Sequence, residues 1–291
     1  MNGFVIIDKP CGITSSACVY KLREIITDKK IGHCGTLDPL ASGLLPISIG
    51  EATKFSSYIS DLSKEYKVEV LFGVKTTTGD IDGEIIKRNQ INFSKEELKQ
   101  ALNSLIGEQH QLPPMYSALK AMGKPLYSWV RNGIYLQRKA RKVFIDSIQL
   151  ECFSESSGIL VVSCSKGTYI RSLVESLGDL LGTGATVKAL RRTKIGNLSS
   201  HNLLNFDLVT TETLNQFLIP SEEMLQHLTK VDLNAEDIKK IRNGLSVDYN
   251  EPLEKKEIIR IYEEKGSFVG IGQVNIPLKV SPKRLLNTKN T

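Results

Sequence analysis

The chain has 291 residues and a formal net charge of +6, and 41% of its residues are hydrophobic while 24% are charged. These proportions are ordinary for a globular protein, and the length allows one large domain together with a small one. No apolar run approaches the roughly 20 residues that a membrane span needs, and the N-terminus lacks the basic region of a signal peptide, so we expect a cytoplasmic protein without a membrane span.

Seven segments carry a clear secondary-structure pattern. Lys64–Phe72 alternates apolar and polar residues, which is typical of a half-buried strand. Ser94 and Glu97 have the spacing of a capping box, which predicts the start of a helix. In chain order the segments are an opening strand over 1–8, a helix capped by Ser15 or Ser16, a strand over Lys64–Phe72, a turn over 79–83, a helix after Ser94, a hairpin of 143–153 and 159–164, and a helix over 170–181 that ends at Gly182.

The last ninety residues change in character near Val231. Residues 202–228 have a helical pattern, and after Val231 we expect a short helix and two short strands, 257–262 and 268–274. Strands outnumber helices along the chain and do not alternate regularly with them. This predicts an α+β fold with a mixed, largely antiparallel sheet flanked by helices, divided into domains 1–230 and 231–291.

The most informative segment is Gly32–Gly43, in which a single acid, Asp38, precedes Pro39. A residue before proline is pushed out of the helical region, so we expect Asp38 on an extended loop. The glycines in the segment allow backbone geometry that other residues avoid. A rigidly held carboxylate near His33 suits a nucleophile or a base, and an ordinary Asp-Pro turn is the alternative.

A basic stretch follows between Glu108 and Asp146, where no acid occurs. Its cations are Lys120, Lys124, Arg131, Arg138, Lys139, Arg141 and Lys142, and its interleaved aromatics are Tyr116, Tyr127, Trp129 and Tyr135. Charge of one sign with aromatic side chains suits a polyanion that also offers bases for stacking. A solvated basic face is the alternative.

The five cysteines are odd in number and form no Cys-x-x-Cys pair. This favours reduced thiols over a disulfide framework or a zinc site. We therefore expect no bound metal.

Four motifs, in this order, resemble those of the TruB family, the tRNA pseudouridine-55 synthases. They are DKPCGITS at 8–15, GHCGTLDPLASG at 32–43, KEY at 64–66 and KGTYIR at 166–171. The resemblance runs from about residue 3 to about residue 200, with a weaker match over the last 60. It implies the pseudouridine synthase fold with a small C-terminal PUA-like RNA-binding domain that is rich in β-structure. It also implies an isomerase that converts the uridine at position 55, in the T-loop of tRNA, to pseudouridine.

The resemblance further implies roles for individual residues. Asp38 would be the nucleophile that acts on a flipped-out base. A carboxylate that stays charged in a pocket needs a cation beside it, and Arg171, with its planar fork, is the candidate. By the same resemblance, Tyr66 would stack on the flipped base and take part in catalysis, and His33 would fill the space that the base leaves in the RNA. Tyr169 and Leu190 would line the pocket, and Asp80 would be a functional acid of the substrate-binding set. Lys9, Pro10 and Gly12 would support the catalytic loop.

The implied partner is the T-arm stem-loop of tRNA, without an obligate protein partner. Because the reaction is an isomerisation, we expect no cofactor. Two other functions are open to the sequence. A non-catalytic RNA-binding protein or tRNA-folding chaperone would not need the acid, and an enzyme that forms an aspartyl phosphate would need magnesium ligands and a phosphate cradle that the sequence lacks. Whether the reaction uses addition at C6 or a glycal at C1′ is also open.

Overall fold

A ten-stranded mixed sheet organises the larger part of the computed structural model, which describes residues 1–199, 203–249, 253–254, 256–264, 266–275 and 279–287. The strands up to residue 205 are β1 (Gly3–Lys9), β2 (Ile31–His33), β3 (Ala41–Ile49), β4 (Lys64–Phe72), β5 (Val74–Thr76), β6 (Ile85–Arg88), β7 (Gly107–Gln111), β8 (Lys120–Ala121), β9 (Lys124–Pro125), β10 (Arg141–Ser154), β11 (Ser157–Cys164), β12 (Ala185–Ile195), β13 (Leu198–Ser199) and β14 (Leu204–Asn205). Within the described chain, the sheet order is β14-β1-β3-β12-β4-β11-β10-β7, with β2 on β3 and β13 on β12.

Most neighbouring strands of this sheet are antiparallel. The pairs β1–β14 and β3–β12 are parallel. Strand β4 lies between β12 and β11 and is antiparallel to both, so that Lys64 is opposite Ile195 on one side and Cys164 on the other. The prediction of a mixed, largely antiparallel sheet is confirmed.

The helices are α1 (Ser15–Ile25), α2 (Ser56–Ser60), α3 (Lys95–Ser104), α4 (Leu126–Val130), α5 (Ile170–Leu180), α6 (Thr211–Gln216), α7 (Ser221–Met224) and α8 (Ala235–Arg242), with 3-10 helices at Gly50–Phe55 and Phe206–Leu208. Helices α1, α3 and α5 pack their apolar faces on the sheet. Helix α5 buries Leu173, Val174 and Leu177, which recur at helical spacing, and they join the core that contains Val68 and Val70 of β4. None of the helices in the described residues is long and apolar enough to cross a membrane.

A second sheet of five strands forms the C-terminal part of the described chain. Its strands are β15 (Thr229–Leu233), β16 (Val247–Asp248), β17 (Ile258–Glu263), β18 (Phe268–Asn275) and β19 (Lys279–Leu285), in the order β15-β17-β18-β19-β16. It shares a hydrophobic cluster with the first part, since Phe268 packs with Phe55 at a ring-centroid distance of 5.8 Å. This sheet fits the expected PUA-like domain. The domain limits 1–230 and 231–291 stay a prediction, and the second sheet begins at Thr229.

Several element predictions are confirmed, and others need correction. The strand over Lys64–Phe72, the capping box at Ser94 and the hairpin of β10 and β11 are present. Helix α1 is capped by Thr14, because the hydroxyl of Ser15 is used elsewhere.

The region 202–228 also differs from its pattern. In the described residues it contains strand β14 and short helices, because Pro220 and short turns interrupt the helical pattern. Residue 202 lies outside the described residues. Strands β15, β16 and β19 of the second sheet were not predicted, nor were the long strands β3 and β12 of the first.

Candidate active site

Asp38 lies on a loop whose shape is fixed by a buried lysine. Lys9, at the end of β1, is 0% exposed. Its ammonium group donates to the carbonyls of Pro10, Ile13 and Pro39 at 2.8, 2.7 and 3.3 Å. The segment that follows β1 is thus tied to the residue that follows Asp38, which explains why the loop needs a long cationic donor at this position.

Further hydrogen bonds hold both sides of this loop. The amide of Gly12, whose φ of 87° favours glycine, donates to the carbonyl of Pro39 at 2.8 Å. The hydroxyl of Ser15 donates to the carbonyl of Leu37 at 3.0 Å and accepts from the amide of Leu37 at 2.8 Å. Asp38 therefore has a well-defined backbone position outside any helix, as the Asp-Pro sequence predicted.

Arg171, in the first turn of α5, forms the ion pair expected with Asp38. Its Nε donates to Oδ2 of Asp38 at 2.8 Å, and the Arg171 side chain is 3% exposed against 30% for Asp38. Nη1 donates to the carbonyl of Thr78 at 2.9 Å and Nη2 to the carbonyl of Tyr116 at 2.7 Å. The expectation of a forked contact is wrong, because the two Nη atoms bind backbone carbonyls and only Nε is left for Asp38.

Asp80 is a second acid beside Arg171. Its Oδ2 is 3.7 Å from Nε of Arg171, and its side chain is 8% exposed. Its Oδ1 accepts hydrogen bonds from the hydroxyl of Thr78 and the amide of Asp82. This arrangement suits orientation of Arg171, and the place of Asp80 in the substrate-binding set stays a prediction.

Asp38 opens onto a cavity of about 330 Å³ that Tyr66, Tyr169 and Leu190 also line. Burial raises the pKa of the Tyr66 phenol, against the opposite influence of the nearby Arg192 guanidinium. Burial also raises the pKa of Tyr169. Both phenols are therefore neutral at neutral pH, which suits contact with an uncharged base. In the described chain, the lining does not include Arg171, Asp80 or His33.

His33 is the last residue of β2, opposite Ile47 of β3. Its Nδ1 is buried and has no hydrogen-bond partner among the described residues. Burial lowers the pKa of His33, and the charge of Arg192 lowers it further. His33 is thus a neutral ring near the start of the catalytic loop and outside the cavity wall.

Two cations in the cavity wall had no role in the sequence interpretation: Lys64 and Arg192, which are 8% and 1% exposed. Lys64 lies two residues before Tyr66, so the strand period places both on the same face of β4. That spacing was a usable signal. The burial of Arg192 had no comparable signal, because arginine is rarely buried.

The basic stretch lies next to the cavity through its first residues, since Ala118 and Leu119 line the cavity. Met115, Leu126 and Val130 form a small core beneath the stretch. Its cations are exposed, apart from the half-buried Arg138. Lys142 is not a free charge, because it pairs with Glu108 of β7.

Three family models together match residues 23–286. The TruB family pseudouridylate synthase N-terminal domain matches 23–170, the tRNA pseudouridylate synthase B C-terminal domain matches 171–229, and the C-terminal domain of pseudouridine synthase II TruB matches 229–286. The chain belongs to the TruB family. The family resemblance read from the four motifs is confirmed, and so is the enzyme class, a pseudouridine synthase.

Curated relatives of this TruB family member are similar over nearly their full length. A protein named tRNA pseudouridine synthase B from Chromobacterium violaceum is 42% identical over 98% of this chain and 95% of its own. The protein of the same name from Pseudomonas aeruginosa is 39% identical over 99% of this chain and 97% of its own. The similarity thus includes the C-terminal sheet.

Solved structures show the same fold at lower identity. A chain in the crystal structure of a Cbf5-Nop10-Gar1 complex has a TM-score of 0.76 and 24% identity, and the match covers 97% of this chain and 84% of that chain. A chain in a structure of an H/ACA RNP bound to a substrate RNA containing 2'-deoxyuridine has the same TM-score, with 20% identity over 99% and 86% of the two chains. Both confirm the fold of this TruB family member.

Proposed function

We propose that this chain converts the uridine at position 55, in the T-loop of tRNA, to pseudouridine, with Asp38 as the nucleophile. The observation that supports this most is the ion pair of Asp38 with the buried Arg171, at the wall of a cavity lined by Tyr66 and Tyr169. A protein that only binds RNA does not need a charged carboxylate held in this way. The relatives named tRNA pseudouridine synthase B support tRNA as the substrate.

The reaction is a rearrangement that Asp38 can start. The bond between C1′ of the ribose and N1 of uracil breaks, and a bond between C1′ and C5 forms. The proton on C5 leaves and N1 gains one, so the product has the same atoms as the substrate. Asp38 either adds to C6 of the uracil, or acts as a base that removes the C2′ proton while the uracil leaves C1′, which gives a glycal. Both routes need an ionised carboxylate at a fixed distance from the nucleotide.

Arg171 pairs with the carboxylate and fixes its direction. Its contacts with the carbonyls of Thr78 and Tyr116 hold the guanidinium in place from two segments. Asp80 stabilises the same guanidinium. A cation held in advance does not have to reorganise during the reaction, which is the condition for effective electrostatic catalysis.

An enzyme can reach a uridine in a folded RNA loop only after the base has left the stack of its neighbouring bases, which costs a few kcal/mol. Tyr66 offers an aromatic face in the cavity, and Leu190 and Tyr169 lie around the same space. We propose that they hold the flipped uracil. His33 is a neutral ring just before the catalytic loop, and we propose that it fills the space that the base leaves in the RNA.

The test is the mapping of pseudouridine in tRNA incubated with the wild-type protein and with Asp38→Asn. We expect the wild type to convert one uridine, at position 55, and the variant to bind tRNA without converting it, because phosphate contacts and shape supply most of the affinity. Asp28→Asn, an exposed acid paired with Lys29, is the control and should be active. Turnover by Asp38→Asn above about a tenth of wild type would contradict the role of Asp38.

A further inference from the structure

Lys64 and Arg192 carry positive charge inside the protein without an acidic partner. The Lys64 ammonium donates to the carbonyls of Ser60 and Leu62. The Arg192 guanidinium donates from Nε to the carbonyl of Leu44 at 2.8 Å and from Nη2 to that of Gly35 at 3.1 Å. Among the described residues, no carboxylate lies within 4.0 Å of either cation. A buried charge without a counter-ion is costly, so an unpaired one at a cavity wall points to an anionic ligand.

Lys64 marks one end of the cavity. It is the first residue of β4 and lies opposite Cys164, the last residue of β11. The turn that follows β11, Ser165–Thr168, leads directly into α5 and lines the cavity, as does the hydroxyl-bearing Ser60. A lysine and the hydroxyl-bearing Ser60 and Ser165 therefore lie close together in the cavity wall.

The cavity wall of the described chain contains two cations, Lys64 and Arg192, and one acid. Among the described residues that line the cavity, Asp38 is the only acid, and it belongs to the loop before β3. Asp61 is close to Lys64 in sequence, but it pairs with the exposed Lys166 at 2.8 Å. Among the described residues, the Lys64 ammonium thus has no ion-pair partner, and a ligand could supply one.

The chemistry of the substrate identifies that ligand. Uracil and ribose are uncharged, so the negative groups that a uridine inside RNA carries are its two flanking phosphodiesters. Tyr66 and Lys64 are two residues apart on one strand face, which places their Cα atoms about 6.5–7 Å apart. A base that stacks on Tyr66 therefore has its own backbone within reach of Lys64.

We propose that Lys64, supported by Arg192, binds a phosphodiester group that flanks the flipped uridine and so fixes its ribose against Asp38. This inference rests on the proposed function of the site. The anion supplies the counter-charge that the protein lacks at this position, and the ammonium keeps one N–H for it beyond the two given to backbone carbonyls. Lys64 is therefore a binding and positioning residue for the backbone of the nucleotide.

The titration of Lys64 gives this contact a pH dependence. Burial lowers the pKa of Lys64 to about 8, with a further lowering by Arg192 and Lys166, while Cys164 and Asp61 act in the opposite direction. The free enzyme thus loses the ammonium charge as pH rises through about 8. We expect kcat/KM on native RNA to fall over that range, since kcat/KM reports the ionisation of the free enzyme.

The experiment combines a change in the protein with a change in the RNA. A T-arm stem-loop is prepared with one neutral methylphosphonate at a time, at either linkage that flanks the target uridine and at one linkage in the stem. Wild type, Lys64→Met and the control Lys67→Met are compared on each RNA by kcat/KM. Lys67 is on the same strand but is half exposed and pairs with Glu151. Thermal unfolding of each variant checks that it is folded.

The expected result is a coupling at one linkage. On native RNA, Lys64→Met should lose on the order of 10- to 100-fold in kcat/KM, which is the effect of a hydrogen bond to a charged group. Wild type should lose a similar factor on one flanking methylphosphonate, and Lys64→Met should lose nothing further there. Lys67→Met should behave as wild type on every RNA.

Two outcomes would overturn the proposal while leaving the proposed function intact. One is that Lys64→Met and the methylphosphonates reduce kcat/KM independently at both flanking linkages. The other, which needs no variant, is that the fall of wild-type kcat/KM near pH 8 is the same on native RNA and on every methylphosphonate RNA. If instead the wild type converts no RNA at all, including whole tRNA, the proposed function itself has failed.

Discussion

Arg171 contacts Asp38 through one nitrogen and uses its other two nitrogens to bind the backbone of two separate segments. The residue therefore acts as a fixed charge whose position depends on Thr78 and Tyr116. A lysine carries the same charge but cannot make three divergent contacts from one planar group. The identity of residue 171 should matter beyond its charge.

We predict that Arg171→Lys lowers kcat on the order of 100-fold, because the carbonyls of Thr78 and Tyr116 lose their donor and the charge is no longer held beside Asp38. Single-turnover measurements of pseudouridine formation in tRNA would show the loss directly. Arg23→Lys is the matched control, since Arg23 donates to the carbonyl of Ile31 away from the cavity. Wild-type turnover by Arg171→Lys would show that charge alone is sufficient.

Part of the site was predictable at this scale and part was not. Asp38 and Arg171 are 133 residues apart, and only the motif resemblance brought them together before the structure did. Lys64 stands in the third motif, yet its burial in the cavity wall was not predicted, because a lysine at the start of a strand is usually solvated. The burial of Arg192 depends on the packed sheet, and no local pattern indicates it.

Among the elements, the catalytic loop depends most on its neighbours. The loop has no regular structure, and its shape depends on Lys9 at the end of β1 and on Ser15 at the start of α1. Strand β4 and helix α3 followed from the local sequence, because alternation and a capping box are local signals. Strands β15, β16 and β19 did not, because their polar, short sequences become strands only through pairing in the second sheet.

We predict that Lys9→Met lowers both stability and turnover. Three carbonyls lose their shared donor, and the free energy of unfolding should fall by about 1–3 kcal/mol. The loop that carries Asp38 should then be less well fixed, so kcat should fall more than KM changes. Denaturant unfolding and steady-state kinetics measure the two effects.

Lys21→Met is the control, because Lys21 donates to the carbonyl of Phe206 at 2.7 Å outside the loop. A loss of stability with unchanged kcat would limit Lys9 to a role in folding.

At the scale of the whole molecule, the C-terminal sheet is packed on the larger part of the chain. Phe268 and Ile271 belong to the same buried cluster as Phe55 and Ile59. Lys54 donates to the carbonyl of Leu285 at 2.8 Å, which adds a polar contact between the two parts. Removal of the C-terminal residues would expose this apolar surface, so substitutions of surface charges are the cleaner way to test where RNA binds.

The hairpin of β8 and β9 carries such charges beside the cavity. Lys120 and Lys124 are exposed and follow directly after the cavity-lining Ala118 and Leu119. If the target loop enters the cavity, its phosphates pass close to this hairpin. Each phosphate contact contributes about 0.7–0.9 to the slope of log affinity against log salt concentration.

We predict that replacing Lys120 and Lys124 together by glutamine weakens tRNA binding at low salt and lowers that slope by about 0.7–1.8, for one or two lost contacts. A charge-matched control replaces Lys95 and Lys99 on α3, which are exposed and lie far along the chain from the hairpin. Titrations of tRNA at several salt concentrations measure the slopes of the wild type and both variants. Because both variants lose two positive charges, a general electrostatic effect would change the two slopes equally, whereas a contact at the hairpin changes only the first. Equal slopes in the two variants would therefore place the RNA away from the basic stretch.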